Sequence, residues 1–308
     1  MPAEERLTIP VGTQVVTRAA LTSPTGTPLY PVGAVGVIVA LPEGDDQTYR
    51  VRFPDGGEAD VLRRNLAVRK SARRDELRRA GATGERDLYE YVIYRCVVGS
   101  RAYGLDDEGS DWDCRGIYLP PAALHWSLYG VPEQLESRET EETYWELQKF
   151  LILALKANPN VLECLYTPLV EHATVLAQEL LNMRDVFLSR LVYQTYNGYV
   201  MSQFKKLEID LRTTGAPRWK HAMHLIRLLL SGTAILREGV VPVRVMEHRE
   251  RLLAIKRGET PWAEVDRWRL ALHRAFDAAY TATKLPERPD YDKVNAFLVE
   301  ARRSMVEG

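Results

Sequence analysis

The residues whose types and spacing could do chemistry are concentrated around Gly99-Ser100 and, shortly afterwards, Asp111 and Asp113. Two residues that are two positions apart on a strand point to the same side, so both carboxylates are predicted to face one site. Like charges this close repel each other unless a cation lies between them. Oxygen ligands suit Mg²⁺, which keeps positions for water and substrate phosphates. We therefore expect Asp111 and Asp113 to hold Mg²⁺, with Mn²⁺ as the alternative.

The Gly-Ser pair at the end of the preceding apolar strand complements these carboxylates. Gly99 allows the backbone to approach a phosphate closely. Ser100 offers a hydroxyl and an amide to phosphate oxygens, and a helix beginning here would add a favourable field. Arg101 is a further candidate for phosphate contact. Neither a Gly-Ser pair nor a lone DxD pair is specific, but their combination predicts a site for a triphosphate and its metal ions.

Three strands and a helix are predicted to position these residues. Apolar runs indicate strands at YVIYRCVVGS and around WDCRGIYL, and a third short strand near ETEETYW. From Leu147 the apolar residues recur with helical spacing, and Asn158-Pro159-Asn160 ends that helix, since a residue before proline resists the α conformation. Further amphipathic helices are predicted near residues 172–212, 218–238, 244–257, 261–283 and 290–306.

The remaining organisation follows from turn residues and charge. Short Val- and Ile-rich strands separated by turn formers predict a small SH3-like β barrel. The expected fold class is α+β, with four parts: the barrel (1–70), a basic helical linker (71–89), a catalytic core (90–170) and a helical substrate- and nucleotide-binding domain (171–308).

Composition restricts the class of protein. The chain has 308 residues, of which 45% are hydrophobic and 27% charged, which is typical of a folded protein. No apolar run approaches the ~20 residues that span a bilayer, and the N-terminus does not resemble a secretory signal. We expect a cytoplasmic protein without a membrane partner. Its three cysteines lack CxxC spacing, which argues against a disulfide framework or a zinc site.

The net charge of −1 excludes a basic, nucleic-acid-binding character for the protein as a whole, but one segment is locally basic. It could be a solvated linker helix or an arm that attracts phosphates and binds less tightly in salt. Its cations are Arg63, Arg64, Arg69, Lys70, Arg73, Arg74, Arg78 and Arg79.

The motif GSRAYGLDDEGSDWDCRGIYLPP resembles the signature of the DNA polymerase β superfamily of nucleotidyltransferases. More narrowly, it is similar to the predicted nucleotidyltransferases of bacterial and phage RNA-repair pathways. TYWELQKFLILALKANPNVLECLYTP, KHAMHLIRLLLSGTAILREG and KLPERPDYDKVNAFLVEAR resemble later segments of that family. The resemblance implies a polymerase-β-like core, a short mixed sheet with helices, followed by a C-terminal helical bundle. It also implies transfer of NMP from an NTP substrate to a hydroxyl acceptor, which we expect to be an RNA end.

The resemblance further implies a third catalytic and metal-binding carboxylate on the strand before the helix at Leu147. The family pattern places it at Glu141. Alternation lets Glu139 share the face of Glu141, whereas Glu142 faces away.

Basic residues are expected to balance the triphosphate. Lys220, His224 and Arg227 fall at i, i+4 and i+7 of one helix and form a polar stripe, which either faces phosphate or RNA or is simply solvated. Lys149 on the earlier helix is another candidate for nucleotide binding.

Three functions stay open. The first is transfer to RNA, the second is nucleotidylation of a protein or small molecule, and the third is RNA binding without catalysis. The intact Asp111 and Asp113 pair argues against the third. Nothing in the sequence indicates the base preference or the oligomeric state.

Overall fold

The structure is a computed structural model that describes residues 9–23, 26, 28–42, 47–69, 87–107, 109–137 and 139–306. The chain forms two compact units, one of residues 1–86 with 127–130 and one of residues 87–126 with 131–308. Helices and sheets are mixed along the chain, so the predicted α+β class is confirmed.

The described residues of the first unit form seven strands. Five of them form an antiparallel sheet in the order β6-β5-β4-β1-β7, and β2 pairs with β3. Alternation explains the inner face: in β5, Tyr49 and Val51 are buried and pack with Val15 and Ile38. The strands are β1 (Gln14–Thr17), β2 (Leu21–Thr22), β3 (Pro28–Tyr30), β4 (Val35–Ala40), β5 (Thr48–Arg52), β6 (Glu58–Leu62) and β7 (Leu66–Val68).

The predicted barrel is not closed within the described residues. The strands β6 and β7 lie at opposite edges of the sheet, and a 3-10 helix, Arg63–Asn65, separates them in the chain. The SH3-like assignment stays a prediction. The basic segment from Lys70 to Arg79, and the predicted linker as far as residue 86, lie outside the described residues.

The second unit contains the mixed sheet that the resemblance implied. Its order is β10-β11-β9-β8-β12, with β9 and β11 parallel and the other neighbours antiparallel. The three predicted strands are confirmed as β8, β9 and β11, whereas β10 and β12 were not predicted. The strands are β8 (Val92–Val97), β9 (Cys114–Tyr118), β10 (Gln134–Ser137), β11 (Glu142–Glu146) and β12 (Val170–Ala173).

Helices pack against this sheet and form the predicted bundle. Leu147, Phe150 and Leu151 are buried on α3 in one core with Cys96 and Ile117 of the sheet, as their helical spacing predicted. The helices are α1 (Gly99–Tyr103), α2 (Ala122–Trp126), α3 (Leu147–Leu155), α4 (Pro159–Tyr166), α5 (Val175–Asn182), α6 (Leu191–Thr214), α7 (Trp219–Glu238), α8 (Arg249–Lys256), α9 (Trp262–Ala282) and α10 (Tyr291–Ser304).

The Asn-Pro-Asn sequence both ends one helix and starts the next. The helix α3 stops at Leu155, and the Asn158 side chain then accepts a hydrogen bond from the Asn160 amide as the N-cap of α4. Pro159 occupies the first helical position, where a missing N–H costs nothing. None of the described helices combines the length and the apolar character that crossing a bilayer requires.

Candidate functional site

The two halves of the motif meet at Gly99 and Asp113. The strand β8 runs into the five-residue helix α1, and Gly99 at its start has a φ of +72°. A Cβ atom at this position would lie only 2.7 Å from Oδ2 of Asp113. The backbone conformation therefore favours glycine here, and a side chain at this position would have to displace the Asp113 carboxylate. The amide and hydroxyl of Ser100 follow directly.

Asp111 and Asp113 lie just before β9 rather than on it, so their predicted placement on the strand is wrong. Val97 and Cys114 form the last residue pair between β8 and β9. Beyond this pair the chain of β8 turns into α1, and one further hydrogen bond joins the segments, from the Val98 amide to the Asp113 carbonyl at 2.9 Å. Asp111 is exposed and Asp113 partly exposed, so both carboxylates are open to a ligand.

Arg101 holds the aspartate segment against α1. Its guanidinium donates to the carbonyls of Ser110 at 2.8 Å and Asp111 at 3.3 Å. The same group lies 4.6 Å above the ring of Trp112. This contact with the backbone of the motif positions Asp111, which adds to the phosphate contact predicted for Arg101.

The three candidates for the third carboxylate are placed differently. Glu142 forms an ion pair of 2.6 Å with Arg95, and its side chain is 13% exposed. Glu141 lies beside the aspartates, because its carbonyl accepts from the amide of Cys114 at 3.3 Å. Glu139 is exposed in the preceding turn. The backbone of Glu141 has a φ of +53°, an uncommon conformation for a residue with a side chain. The assignment of Glu141 stays a prediction.

Arg115 lies between Asp113 and Glu141. Its Nη2 is 3.7 Å from Oδ1 of Asp113, and its Nη1 donates to the Glu141 carbonyl at 2.9 Å. A guanidinium at this position places positive charge beside the Asp113 carboxylate. The sequence analysis did not single out this residue, although its spacing of two from Asp113 was a usable signal.

The two aspartates suit Mg²⁺ even though no three-residue metal cluster is preformed. Within the described ranges, no group of three His, Cys, Asp or Glu side chains could hold a metal ion. Proteins that act on phosphates hold Mg²⁺ through one or two carboxylates, with water and substrate phosphates as the other ligands. Asp111 and Asp113 are accessible oxygen donors, and the pair between Asp113 and Arg115 is long at 3.7 Å.

Arg227 is buried rather than on an exposed stripe. It forms an ion pair with Glu163 of α4, and these side chains are 6% and 2% exposed. Its guanidinium lies 3.7 Å from the ring centre of Tyr103, whose hydroxyl donates to Glu163 at 2.7 Å. Burial alone lowers the pKa of Arg227, but Glu163 and Tyr103 reverse this and raise it. The cluster of Tyr103, Glu163 and Arg227, hereafter the anchor cluster, ties α1 to α4 and α7.

The other predicted basic residues have separate environments. Burial, with Arg227 and Lys220 contributing, lowers the pKa of His224 to about 3, so this imidazole is neutral at pH 7. Lys220 is exposed on the first turns of α7. Lys149 pairs with Glu133 at 3.2 Å. Their predicted contacts with nucleotide stay predictions.

Comparison with known proteins identifies the family. The model of the RNA repair pathway DNA polymerase beta family matches residues 71–300. The chain belongs to this family. It is also similar to the "Uncharacterized protein YcgL" of Bacillus subtilis (strain 168), with 32% identity over 173 residues. That match covers 54% of this chain and 64% of the relative, so it spans less than two thirds of the relative's length.

The match to the RNA repair pathway DNA polymerase beta family includes both the motif and the anchor cluster. Glu163 lies inside the segment LKANPNVLECLYTP, on which the resemblance partly rested, but it had no predicted role. No local pattern pairs it with Arg227, which follows far along the chain. A buried acid on an apolar helix was the one available signal, because such groups are normally paired.

Proposed function

We propose that the protein is a Mg²⁺-dependent nucleotidyltransferase that transfers NMP from an NTP to a hydroxyl of an RNA end. The close approach of the Asp113 carboxylate to the Gly99 backbone carries the proposal, because Asp113 is the candidate metal ligand and Gly99-Ser100 is the candidate triphosphate site. Membership of an RNA repair family of polymerase-β-like nucleotidyltransferases supports it.

The reaction is an in-line displacement at the α-phosphorus. The acceptor oxygen forms a bond to that phosphorus, and the bond from the phosphorus to the oxygen bridging the β-phosphate breaks. Pyrophosphate leaves with the bonding electrons, and the hydroxyl proton passes to a carboxylate or to water. When bound, Mg²⁺ neutralises the phosphate charge and favours ionisation of the hydroxyl. Catalysis of this kind rests mainly on positioning and charge.

Each residue then has a defined task. Asp111 and Asp113 hold Mg²⁺, and Glu141 adds the third carboxylate and accepts the proton of the acceptor. Ser100 binds triphosphate oxygens through its hydroxyl and amide. Arg115 stabilises the charge that develops on the phosphates, from its place beside Asp113.

The open sheet of the first unit is proposed to be an SH3-like module. The pairing of its last strand with its first supports this, as β7 and β1 are neighbours in the sheet. We assign no ligand to it.

The test is to identify the acceptor. The protein is incubated with Mg²⁺ and each α-³²P-labelled NTP, with and without a pool of small RNAs, and the products are separated on a denaturing gel. Label on RNA is the expected result and also gives the base preference. Label on the protein alone would replace the RNA acceptor by protein nucleotidylation. No label with any NTP, together with no binding of Mg²⁺–NTP by calorimetry, would refute the proposed function.

A further inference from the structure

A cavity of about 440 Å³ opens beside the aspartate segment in the second unit. Its lining comes from α1 and the residues after it, from Trp112, from Leu169 before β12, and from residues 244–249. Small-molecule sites are commonly ~300–1,000 Å³, so the space suits about one nucleotide. This cavity is next to the proposed catalytic residues and has no role in the proposed chemistry.

One side of the cavity is cationic. Arg101, Arg244 and Arg249 contribute three guanidinium groups, against the single lining carboxylate of Asp106. Nη1 of Arg249 also pairs with Glu250 at 2.7 Å, so part of this charge is already balanced. Arg244 is exposed, and among the described residues it has no ion-pair partner. An exposed guanidinium in a cavity lined by two others attracts phosphate oxygens.

The other side is apolar and open. Trp112 and Met246 are 52% and 74% exposed, and Leu169 also lines the cavity. The Trp112 indole is held in place, because its Nε1 donates to Glu171 at 3.0 Å and Arg101 lies against its ring. An exposed aromatic ring with a fixed orientation is a platform on which a base can stack.

The walls are attached to each other by backbone contacts. The amide of Val245 donates to the Tyr103 carbonyl at 3.1 Å, and Nε of Arg249 donates to the Gly104 carbonyl at 2.7 Å. The cationic segment is therefore joined to α1, whose other end carries Gly99. These contacts connect this wall of the cavity to the helix that begins at Gly99.

We propose that this cavity binds the single-stranded 3′ end of the RNA acceptor, an inference that rests on the proposed function. Trp112 stacks on an unpaired base, and Arg244 and Arg249 contact the phosphates next to it. A base within a duplex is not free to stack on a side chain, so the acceptor end is unpaired. Trp112 is the chain neighbour of both Asp111 and Asp113, and Arg101, which also lines the cavity, donates to the carbonyls of Ser110 and Asp111. The cavity therefore adjoins the aspartate segment.

The experiment measures RNA binding without catalysis. Binding of a short fluorescein-labelled single-stranded RNA is followed by fluorescence anisotropy in EDTA and without NTP, at several salt concentrations. Trp112→Ala and Arg244→Ala are each expected to weaken binding about tenfold. Arg244→Ala should also make the slope of log affinity against log salt less negative by about 0.7, because one phosphate contact is lost. Trp112→Phe keeps the stacking platform and should restore most of the affinity.

The matched control is Arg288→Ala, an exposed arginine that does not line the cavity. It should bind RNA as tightly as the wild type, and melting curves check that every variant is folded. Wild-type RNA affinity in both Trp112→Ala and Arg244→Ala would overturn the proposal. So would equal affinity for a blunt duplex, or a loss of NTP affinity with RNA affinity unchanged. Intact RNA binding with neither nucleotide transfer nor binding of Mg²⁺–NTP would instead refute the proposed function and leave the binding site standing.

Discussion

Gly99→Ala perturbs the contact between the two halves of the site. A residue with a side chain costs about 1–2 kcal/mol in the left-handed conformation that Gly99 adopts. The new Cβ would also lie 2.7 Å from Oδ2 of Asp113, whereas ordinary contacts begin at 3.4 Å. The carboxylate must therefore move by about 0.7 Å, away from the position in which it would hold the metal ion. Misplacement of a reacting group by about 1 Å can reduce a rate about 100-fold.

The expected result separates stability from activity. The backbone cost should lower the Tm by about 2–8 °C for a unit of this size. The kcat/KM for labelled NMP transfer should fall about 50- to 100-fold, which is more than a small loss of folded protein can explain. Initial rates at low NTP concentration and thermal melting provide the two measurements.

Gly215→Ala is the matched control for this substitution. Gly215 has a φ of +71° at the end of α6, and a Cβ there would meet no atom within 4 Å. It should lower the Tm by a similar amount and leave kcat/KM unchanged. If Gly99→Ala transfers nucleotide as fast as Gly215→Ala, the contact with Asp113 does not matter and the reasoning is refuted.

Two further predictions concern α7. Arg227→Met leaves Glu163 buried without its cation and should lower the free energy of unfolding, measured by urea denaturation, by about 3–5 kcal/mol. The double variant Arg227→Met/Glu163→Gln should recover part of this loss. A loss below about 1 kcal/mol in Arg227→Met would contradict the buried pair. In the folded protein the pKa of His224 is lowered to about 3 from its usual value of 6.5. The neutral ring therefore contributes fully to the free energy of unfolding above pH 6.5, and this contribution is lost as the pH falls from 6.5 towards 3. The loss is at most about 1.4 kcal/mol per pH unit. His224→Gln should remove this part of the pH dependence of the free energy of unfolding. The same pH dependence in the wild type and in His224→Gln would argue against burial of the ring.

Local patterns predicted the parts of the fold that depend on neighbouring residues. The apolar runs predicted β8 and β9. The helical spacing of apolar residues from Leu147 predicted α3, because burial of one face of a helix leaves a periodic signal in the sequence. The strand β12 was missed, since Val170 to Ala173 is a short edge strand with largely exposed side chains. The motif itself was recognised because its residues are close in the chain.

The site was less predictable where it depends on distant contacts. Asp111 and Asp113 lie before β9 because the paired strand β8 ends at Val97 and the chain then turns into α1. The sequence around the aspartates does not show where their partner strand ends. Arg227 shares a helical face with Lys220, yet its environment is decided by Glu163, which lies on another helix. Periodicity shows which residues share a face but not what covers that face.

The central claim is that Asp111 and Asp113 hold the metal ion for nucleotide transfer. Its most direct test is the transfer of label from α-³²P-NTP to RNA by the wild type and by Asp111→Asn and Asp113→Asn, across a Mg²⁺ titration and in EDTA. The account predicts Mg²⁺-dependent transfer by the wild type, loss of transfer in each folded variant, and none in EDTA. Wild-type turnover in either variant, or transfer that persists in EDTA, would contradict it.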